Sequence, residues 1–241
     1  MMLDRWRFVA RHLPRTANGE QLIDVGCGSG AFTIGAAKRG YAATGLSWDI
    51  RNQQVAQQRA LMVGAGATEF PIGDARHLDA MTEFKDRFDV VLSLENIEHI
   101  IDDRKLMRDL AACLKPGGRL ILTTPNYDYR AVTAEDNGPF VTEETGWHVR
   151  RGYSLAMLRE LADESGLIVE KLGSCSGLLS QKLTWLTWLT WLTRRLGWFG
   201  WGISMPLRIF PPILDRFLRW LFAYPDFSLT LVACKPRFTD Q

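Results

Sequence analysis

Short apolar runs alternate with amphipathic stretches along most of this chain, at spacings that switch between those of strands and those of helices. Leu22-Ile23-Asp24-Val25 suits a strand covered on both faces. Gly26, Gly28 and Gly30 follow, and then Phe32, Ile34, Gly35, Ala36 and Ala37 start a helix small enough to lie close on a sheet. Tyr41 to Leu46 predicts a second strand, Ile50 to Met62 a helix with its Gln-rich positions facing water, and Thr68 to Ile72 a third strand. Phe88 to Leu94 predicts a fourth. Arg104 to Leu114 reads as a helix stopped by Lys115-Pro116-Gly117-Gly118, with a fifth strand over Arg119 to Thr124. Ser154 to Ser165 is a helix ended by Gly166, and Leu167 to Leu172 and Phe227 to Cys234 are the last two strands. Met1 to Arg15 carries Asp4, Arg5, Arg7 and Arg11 among its apolar residues, which predicts an amphipathic helix rather than a signal peptide. The repeated β-α units predict an α/β fold with a Rossmann-like, doubly wound, seven-stranded and mostly parallel sheet, its ligands at the carboxyl ends of the central strands.

One stretch breaks the alternation. Between the last two strands, from Gly177 to Tyr224, lie six of the chain's nine tryptophans and the triplets Thr184-Trp185-Leu186, Thr187-Trp188-Leu189 and Thr190-Trp191-Leu192. A period of three drifts around a helix, so this segment is apolar on most sides. Residues 178–223 also hold Lys182, Arg194, Arg195, Arg208, Arg216 and Arg219 against Asp215 alone. The predicted organisation is therefore one domain, 1–177 plus 224–241, with an apolar, basic helical insertion at 178–223. Basic residues and Pro206, Pro211 and Pro212 interrupt every apolar run before the ~20 residues a membrane span needs. Tryptophan, leucine and arginine together suit peripheral contact with an anionic membrane, and the same face serves equally as a lid or an oligomer interface. The oligomeric state is left open.

Composition adds bounds. The 241 residues, 46% hydrophobic, can bury one sizeable core. A net charge of +2 gives no bias toward nucleic acid, and none is expected as a partner. Four scattered cysteines form no C-x-x-C pair, which predicts reduced thiols and a cytoplasmic protein, at the membrane periphery if the insertion docks there.

The glycine turn carries the first chemistry. Backbone N–H groups at the start of the following helix can bind a carboxylate or a phosphate. Gly26, Gly28 and Ala31 formally satisfy the G-x-G-x-x-G/A pattern of a nicotinamide or flavin dehydrogenase. Asp24, two residues before the first glycine, and a third glycine at Gly30 instead give D-x-G-x-G-x-G, which resembles motif I of the class I S-adenosylmethionine-dependent methyltransferases. Gly73-Asp74-Ala75, F-D-V-V-L-S-L and L-K-P-G-G-R-L-I-L-T-T-P follow in the order that family shows, so the resemblance covers roughly residues 20 to 170.

The resemblance implies S-adenosylmethionine as cofactor, its methionine end held by Asp24 and the backbone of Gly26, Cys27, Gly28 and Gly30. Asp74 with Ala75 would flank the adenine, and Leu94 and Glu95 would close the other side. The family's acidic residue at the end of the second strand is replaced here by Ser47. Asp49 either chelates the ribose in its stead or caps the helix beginning at Ile50.

Glu95-Asn96-Ile97-Glu98-His99 places two carboxylates and an imidazole at i, i+3 and i+4, on one face if the segment is a helical turn. This E-x-x-E-H pattern resembles that of ubiquinone-pathway O-methyltransferases and small-RNA 2′-O-methyltransferases. It implies a divalent metal, Mg or Zn, held by Glu95, Glu98, His99 and a downstream histidine, for which His148 is the candidate. Alternatively Glu98 and His99 only brace neighbouring loops, or His99 or His148 acts as a metal-free general base. Glu98, His99 and His148 are thus the catalytic candidates. The loop from Tyr127 to Tyr153, with Tyr129, Arg130, Glu135, Asp136, Asn137, Arg150 and Arg151, is expected to face the acceptor. The expected function is methylation of an oxygen on a lipophilic or membrane-associated small molecule, such as a quinone precursor or a lipid-linked sugar. A dehydrogenase, or a non-catalytic cofactor-binding protein whose insertion recruits a partner, is the alternative.

Overall fold

A computed structural model describes residues 2–131, 134–181 and 211–237. Its seven strands are β1 (Gln21–Val25), β2 (Ala42–Leu46), β3 (Thr68–Glu69), β4 (Phe88–Leu94), β5 (Leu114–Pro125), β6 (Ile168–Cys175) and β7 (Ser228–Cys234). They form one sheet in the order β3-β2-β1-β4-β5-β7-β6. The first five are mutually parallel where they pair, and β7 runs antiparallel between β5 and β6. A dinucleotide-binding dehydrogenase sheet is parallel in the order 3-2-1-4-5-6. The antiparallel strand inserted here removes the dehydrogenase alternative.

The described α-helices are α1 (Met2–His12), α2 (Ala31–Ala37), α3 (Ile50–Met62), α4 (Asp103–Cys113), α5 (Leu155–Glu164) and α6 (Pro211–Phe222). Apolar stripes bury α4 and α5: Leu106, Met107, Leu110 and Ala111 of α4 and Leu158, Leu161 and Ala162 of α5 share a core with Val91, Leu120, Leu122 and Leu231 of the sheet. On the other face, Val9 of α1 and Ala36 of α2 pack with Leu22, Leu92 and Ile121. Gly35 lies under the Trp6 ring, where an added Cβ would come within 2.4 Å of it.

Three sequence expectations shift. The third strand stops at Glu69, because Pro71 has no N–H for the ladder, and Ile72 returns only as a single bridge to Ser47. The expected stop at Lys115–Gly118 is absorbed into β5 as an irregularity, visible where the pairing jumps from Phe88–Leu114 to Val90–Arg119. Gln53 does not face water. It is buried in α3 and donates from Nε2 to the Gly45 carbonyl at 2.8 Å, while its Oε1 accepts from the Cys27 thiol at 3.4 Å.

Residues 178–223, expected as an insertion, fall between β6 and β7 in the element order. Their triplet repeat and most of their basic residues fall in 182–210, outside the described residues. The two described ends are tied together: the Asp215 carboxylate of α6 accepts from the backbone N–H groups of Leu179 at 2.6 Å and Ser180 at 3.0 Å. No described helix is long and apolar enough to cross a membrane.

Candidate active site

The carboxyl ends of β1, β2 and β4 converge on a pocket of ≈ 530 Å³. Gly26, Gly28, Ser47, Trp48, Asp49 and Asn52 form one side, Gly73, Asp74, Ala75 and Arg76 the next, and Glu95, Asn96, His99 and Ile100 the third. Glu144, Thr145 and Gly146, from the long loop after β5, complete the wall.

Backbone geometry shapes the glycine turn. Gly26 has φ +81°, and an added Cβ would sit 2.6 Å from the Asn96 side chain. Gly28 has φ +52° and nothing within 4 Å of where a Cβ would stand, so the room beside it is left for a ligand. Gly30, at the start of α2 with φ +75°, is pressed against Ala56 and Phe70 and packs the helix rather than lining the pocket. The pocket therefore fits S-adenosylmethionine by its backbone cradle and its size, since cofactor-sized ligands occupy clefts of this order.

The other sequence-predicted cofactor residues divide into wall and support. Asp24 lies below the turn, fully buried, where its Oδ2 accepts from the Thr33 hydroxyl at 2.8 Å and burial pushes its carboxyl up to about 6. Cys27 and Leu94 are buried behind the wall as well. Ser47 reaches the pocket, and its Oγ accepts from the Asp49 N–H at 3.3 Å. Asp49 makes the cap the sequence offered, its Oδ1 accepting from the Arg51 N–H at 2.9 Å at the start of α3, and it also lines the pocket. The Asp74 carboxylate, held below the usual carboxylate range by Arg76, accepts from Arg76 Nε at 2.9 Å.

The E-x-x-E-H segment is a 3-10 turn over Ile97–His99 preceded by Glu95 at φ +52°, so its three ionisable residues do not share a helix face. Glu95 turns toward α1, where Arg5 Nη2 meets its Oε2 at 2.9 Å. Glu98 and His99 meet His148, with ligand atoms from all three within 4.8 Å of one another. The four-residue metal set expected from the sequence is thus a triad without Glu95.

The triad lies where a cation would stabilise it. Glu98 is 0% exposed, its Oε2 accepts from the Thr124 hydroxyl at 3.2 Å, and its Oε1 has no hydrogen-bond partner. Burial, and secondarily the nearby Glu95, raises its carboxyl well above the ordinary value. His99 Nδ1 is also buried without a partner. The His99 and His148 rings meet edge to face at 4.7 Å, and burial followed by the charge of His99 lowers His148. The unpartnered Glu98 Oε1, with His99 Nε2 at 3.9 Å and His148 beside them, fits one divalent ion with carboxylate and imidazole ligands.

The loop residues expected at the acceptor are mostly engaged in holding the loop. Arg150 donates to the Ile100 and Ile101 carbonyls at 2.8 and 2.7 Å and pairs with Asp103. Arg151 donates to the Tyr127 and Tyr129 carbonyls at 2.8 and 2.7 Å and to Asn137 Oδ1 at 2.6 Å. The Tyr129 hydroxyl donates to the Asp136 carbonyl at 2.7 Å. Sequence reasoning missed Arg5, Asn52, Arg76, Asn96 and Glu144, since lone polar residues in loops carry no periodic signal. Gln53 did carry one, standing three and seven positions before the buried Ala56 and Ala60.

Comparisons with known proteins agree with this geometry. A family model described as a methyltransferase domain matches residues 4–172. A ubiquinone biosynthesis O-methyltransferase of Coxiella burnetii is 29% identical over 116 residues, 48% of this chain and 48% of that protein. One from Methylobacterium nodulans is 36% identical over 111 residues, 46% and 43% of the two chains. The chain matches about half the length of these curated relatives. Among solved structures, the Haemonchus contortus phosphoethanolamine N-methyltransferase 2 in complex with S-adenosyl-L-methionine superposes with a TM-score of 0.65 at 18% identity, covering 94% of this chain and 51% of that one. With a family match over most of its length, the sheet order of that fold and a glycine-lined pocket at the strand ends, the chain belongs to the methyltransferase domain family, as a class I S-adenosylmethionine-dependent methyltransferase.

Proposed function

We propose that this chain transfers the methyl group of S-adenosylmethionine to a hydroxyl oxygen of a lipophilic small molecule, with a quinone precursor as the favoured class. The observation that carries the reading is the Glu98, His99 and His148 triad, with its orphaned Glu98 Oε1 at 3.9 Å from His99 Nε2, next to the cofactor pocket. The relatives named as ubiquinone biosynthesis O-methyltransferases support it. A divalent cation on these three residues would lower the pKa of a bound hydroxyl and fix its orientation.

The residues of the chain do the rest. Gly26 and Gly28 offer the turn on which the cofactor's methionine end rests, with Asp24 holding the turn from below through Thr33. Ser47 and Asp49 stand at the ribose end and Asp74 with Ala75 at the adenine end. Glu98, His99 and His148 stand on the acceptor side, where they would hold that cation and through it orient the hydroxyl, whose proton leaves to solvent. In-line attack on the sulfonium methyl needs little beyond this alignment.

A lipophilic acceptor and a membrane as its source are supported by the insertion. Its described end, α6, exposes Leu214, Phe217, Trp220, Leu221 and Phe222. Gln181 links that region to the acceptor loop, donating to the Arg130 carbonyl at 2.9 Å while accepting from the Tyr224 hydroxyl at 3.0 Å. The test is incubation with labelled S-adenosylmethionine and fractionated bacterial lipids. The expected result is label in an organic-soluble product whose methyl is an ether; label only in water-soluble products, or on nitrogen or carbon, overturns the reading. Co-sedimentation with anionic liposomes tests the membrane part, with retention expected for the full chain and loss when 178–223 is replaced by a short turn.

A further inference from the structure

The segment from Val141 to Val149 does two things at once. Its Glu144, Thr145 and Gly146 roof the cofactor pocket, and four residues past Glu144 it delivers His148 to Glu98 and His99. Its far end touches the triad through single main-chain bonds: the Val149 N–H donates to the Glu98 carbonyl at 3.0 Å, and the Val141 N–H to the His148 carbonyl at 3.3 Å. The roof is held by Glu144 alone among its side chains with described bonds. Glu144 Oε2 accepts from Arg76 Nη1 at 3.0 Å, and Oε1 accepts from the Ile101 N–H at 2.6 Å. Arg76 in turn grips Asp74 on the adenine side, so one guanidinium joins the wall of the pocket to its roof. Gly146, at φ +91°, lets the backbone pass 3.7 Å from Trp48 on the opposite side, measured from where a Cβ would stand.

We infer that residues 141–149 are a strap latched by Glu144 onto Arg76 and the Ile101 N–H, and that closing this strap over the cofactor sets His148 in place, so that cofactor binding and completion of the triad are energetically linked. The inference rests on the cofactor and metal readings above. Glu144 is a positioning residue: it reaches the triad only through the four residues that separate it from His148. Because both ligands favour the same strap position, each raises the affinity of the other by the same factor.

Amide hydrogen exchange and calorimetry on the full chain test it, with S-adenosylhomocysteine as nucleoside probe and Zn²⁺ as metal probe. The expected result is that S-adenosylhomocysteine slows exchange at Val149 about tenfold in the wild type, although Val149 is not a wall residue, and tightens Zn²⁺ binding by a similar factor. Glu144→Ala is expected to weaken nucleoside binding about tenfold and to abolish both responses, with Glu144→Gln intermediate because it keeps an acceptor for the Ile101 N–H but loses the charge on Arg76. Glu143→Gln, on an exposed neighbour, serves as the control with wild-type behaviour. Unchanged exchange at Val149 on nucleoside binding overturns the linkage, as does a Zn²⁺ affinity that ignores the nucleoside. A wild type that binds the nucleoside and slows Val149 but takes up neither Zn²⁺ nor Mg²⁺ overturns the metal reading and leaves the strap standing. No binding of the nucleoside overturns both.

Discussion

The glycine turn after β1 and the strap at 141–149 face each other across one pocket and are built on opposite principles. The turn is held by main-chain geometry and burial: positive φ at Gly26, Gly28 and Gly30, close packing against Asn96, Ala56 and Phe70, and a fully buried Asp24 beneath. The strap carries a charged latch, Glu144 on Arg76 and the Ile101 N–H, beside the main-chain bonds of Val141 and Val149, and Arg150 and Arg151 hold the chain just past it. Packing of the first kind fails steeply when a single atom is added, whereas a ring of partly exposed polar bonds loses its members one at a time. An added atom should therefore damage the turn more than the loss of one polar bond damages the strap.

The sharpest way to break this contrast is Gly26→Ala. The methyl would stand 2.6 Å from Asn96 at a φ that favours glycine, so S-adenosylhomocysteine affinity is expected to fall on the order of a hundredfold, with a lower melting temperature. Wild-type affinity in that variant, read by calorimetry, would show that the turn is not packed as described.

Asp24 gives a pH dependence with a definite sign. Its carboxyl rises from 3.8 to about 6 on folding, because burial disfavours the charged form more than the Thr33 hydroxyl favours it. The proton is bound more tightly in the folded state, so this contribution to stability is complete below about 3.8 and is lost as pH rises through about 6. Asp24→Asn should remove that slope, gaining on the order of 3 kcal/mol relative to wild type between pH 4 and pH 7 in urea titrations. Parallel pH profiles of the two proteins would contradict the buried, weakly compensated carboxylate.

On the acceptor side the expected effects are smaller and more separable. His148→Ala should reduce Zn²⁺ affinity on the order of tenfold to a hundredfold while leaving S-adenosylhomocysteine binding within a few-fold of wild type. Equal loss of both ligands would mean that His148 supports the fold rather than the metal. Smallest of all, Asp49→Asn keeps a helix cap and removes the charge, so it should cost a few-fold in nucleoside affinity with an unchanged melting temperature. No change in affinity would assign Asp49 to capping alone.

The same contrast explains what was legible in the sequence. Phe88 to Leu94 and Ile50 to Met62 are elements whose apolar periodicity is set by burial in the sheet layers, and both have the bounds their pattern predicts. The glycine turn was legible because only glycine meets its backbone demands. The sequence misled at Glu95, where an i, i+3, i+4 spacing implied a shared helix face and a left-handed residue before a 3-10 turn sent the side chain to Arg5 instead. It was silent on Arg76 and Glu144, because a latch between residues 68 positions apart leaves no local pattern. The paired Arg150 and Arg151 looked like substrate donors, and the backbone carbonyls that consume them become visible only in three dimensions.

Methyl transfer by this protein is expected to depend on a cation held by Glu98, His99 and His148. The most direct test of that dependence is the rate of label transfer from S-adenosylmethionine to an organic-soluble hydroxyl acceptor, before and after exhaustive chelation, followed by addition of Zn²⁺ or Mg²⁺. The account predicts that chelation abolishes transfer, that one of the two ions restores it, and that His148→Ala is no longer restored at the same ion concentration. Transfer that persists undiminished after chelation and in Glu98→Ala and His148→Ala would contradict it.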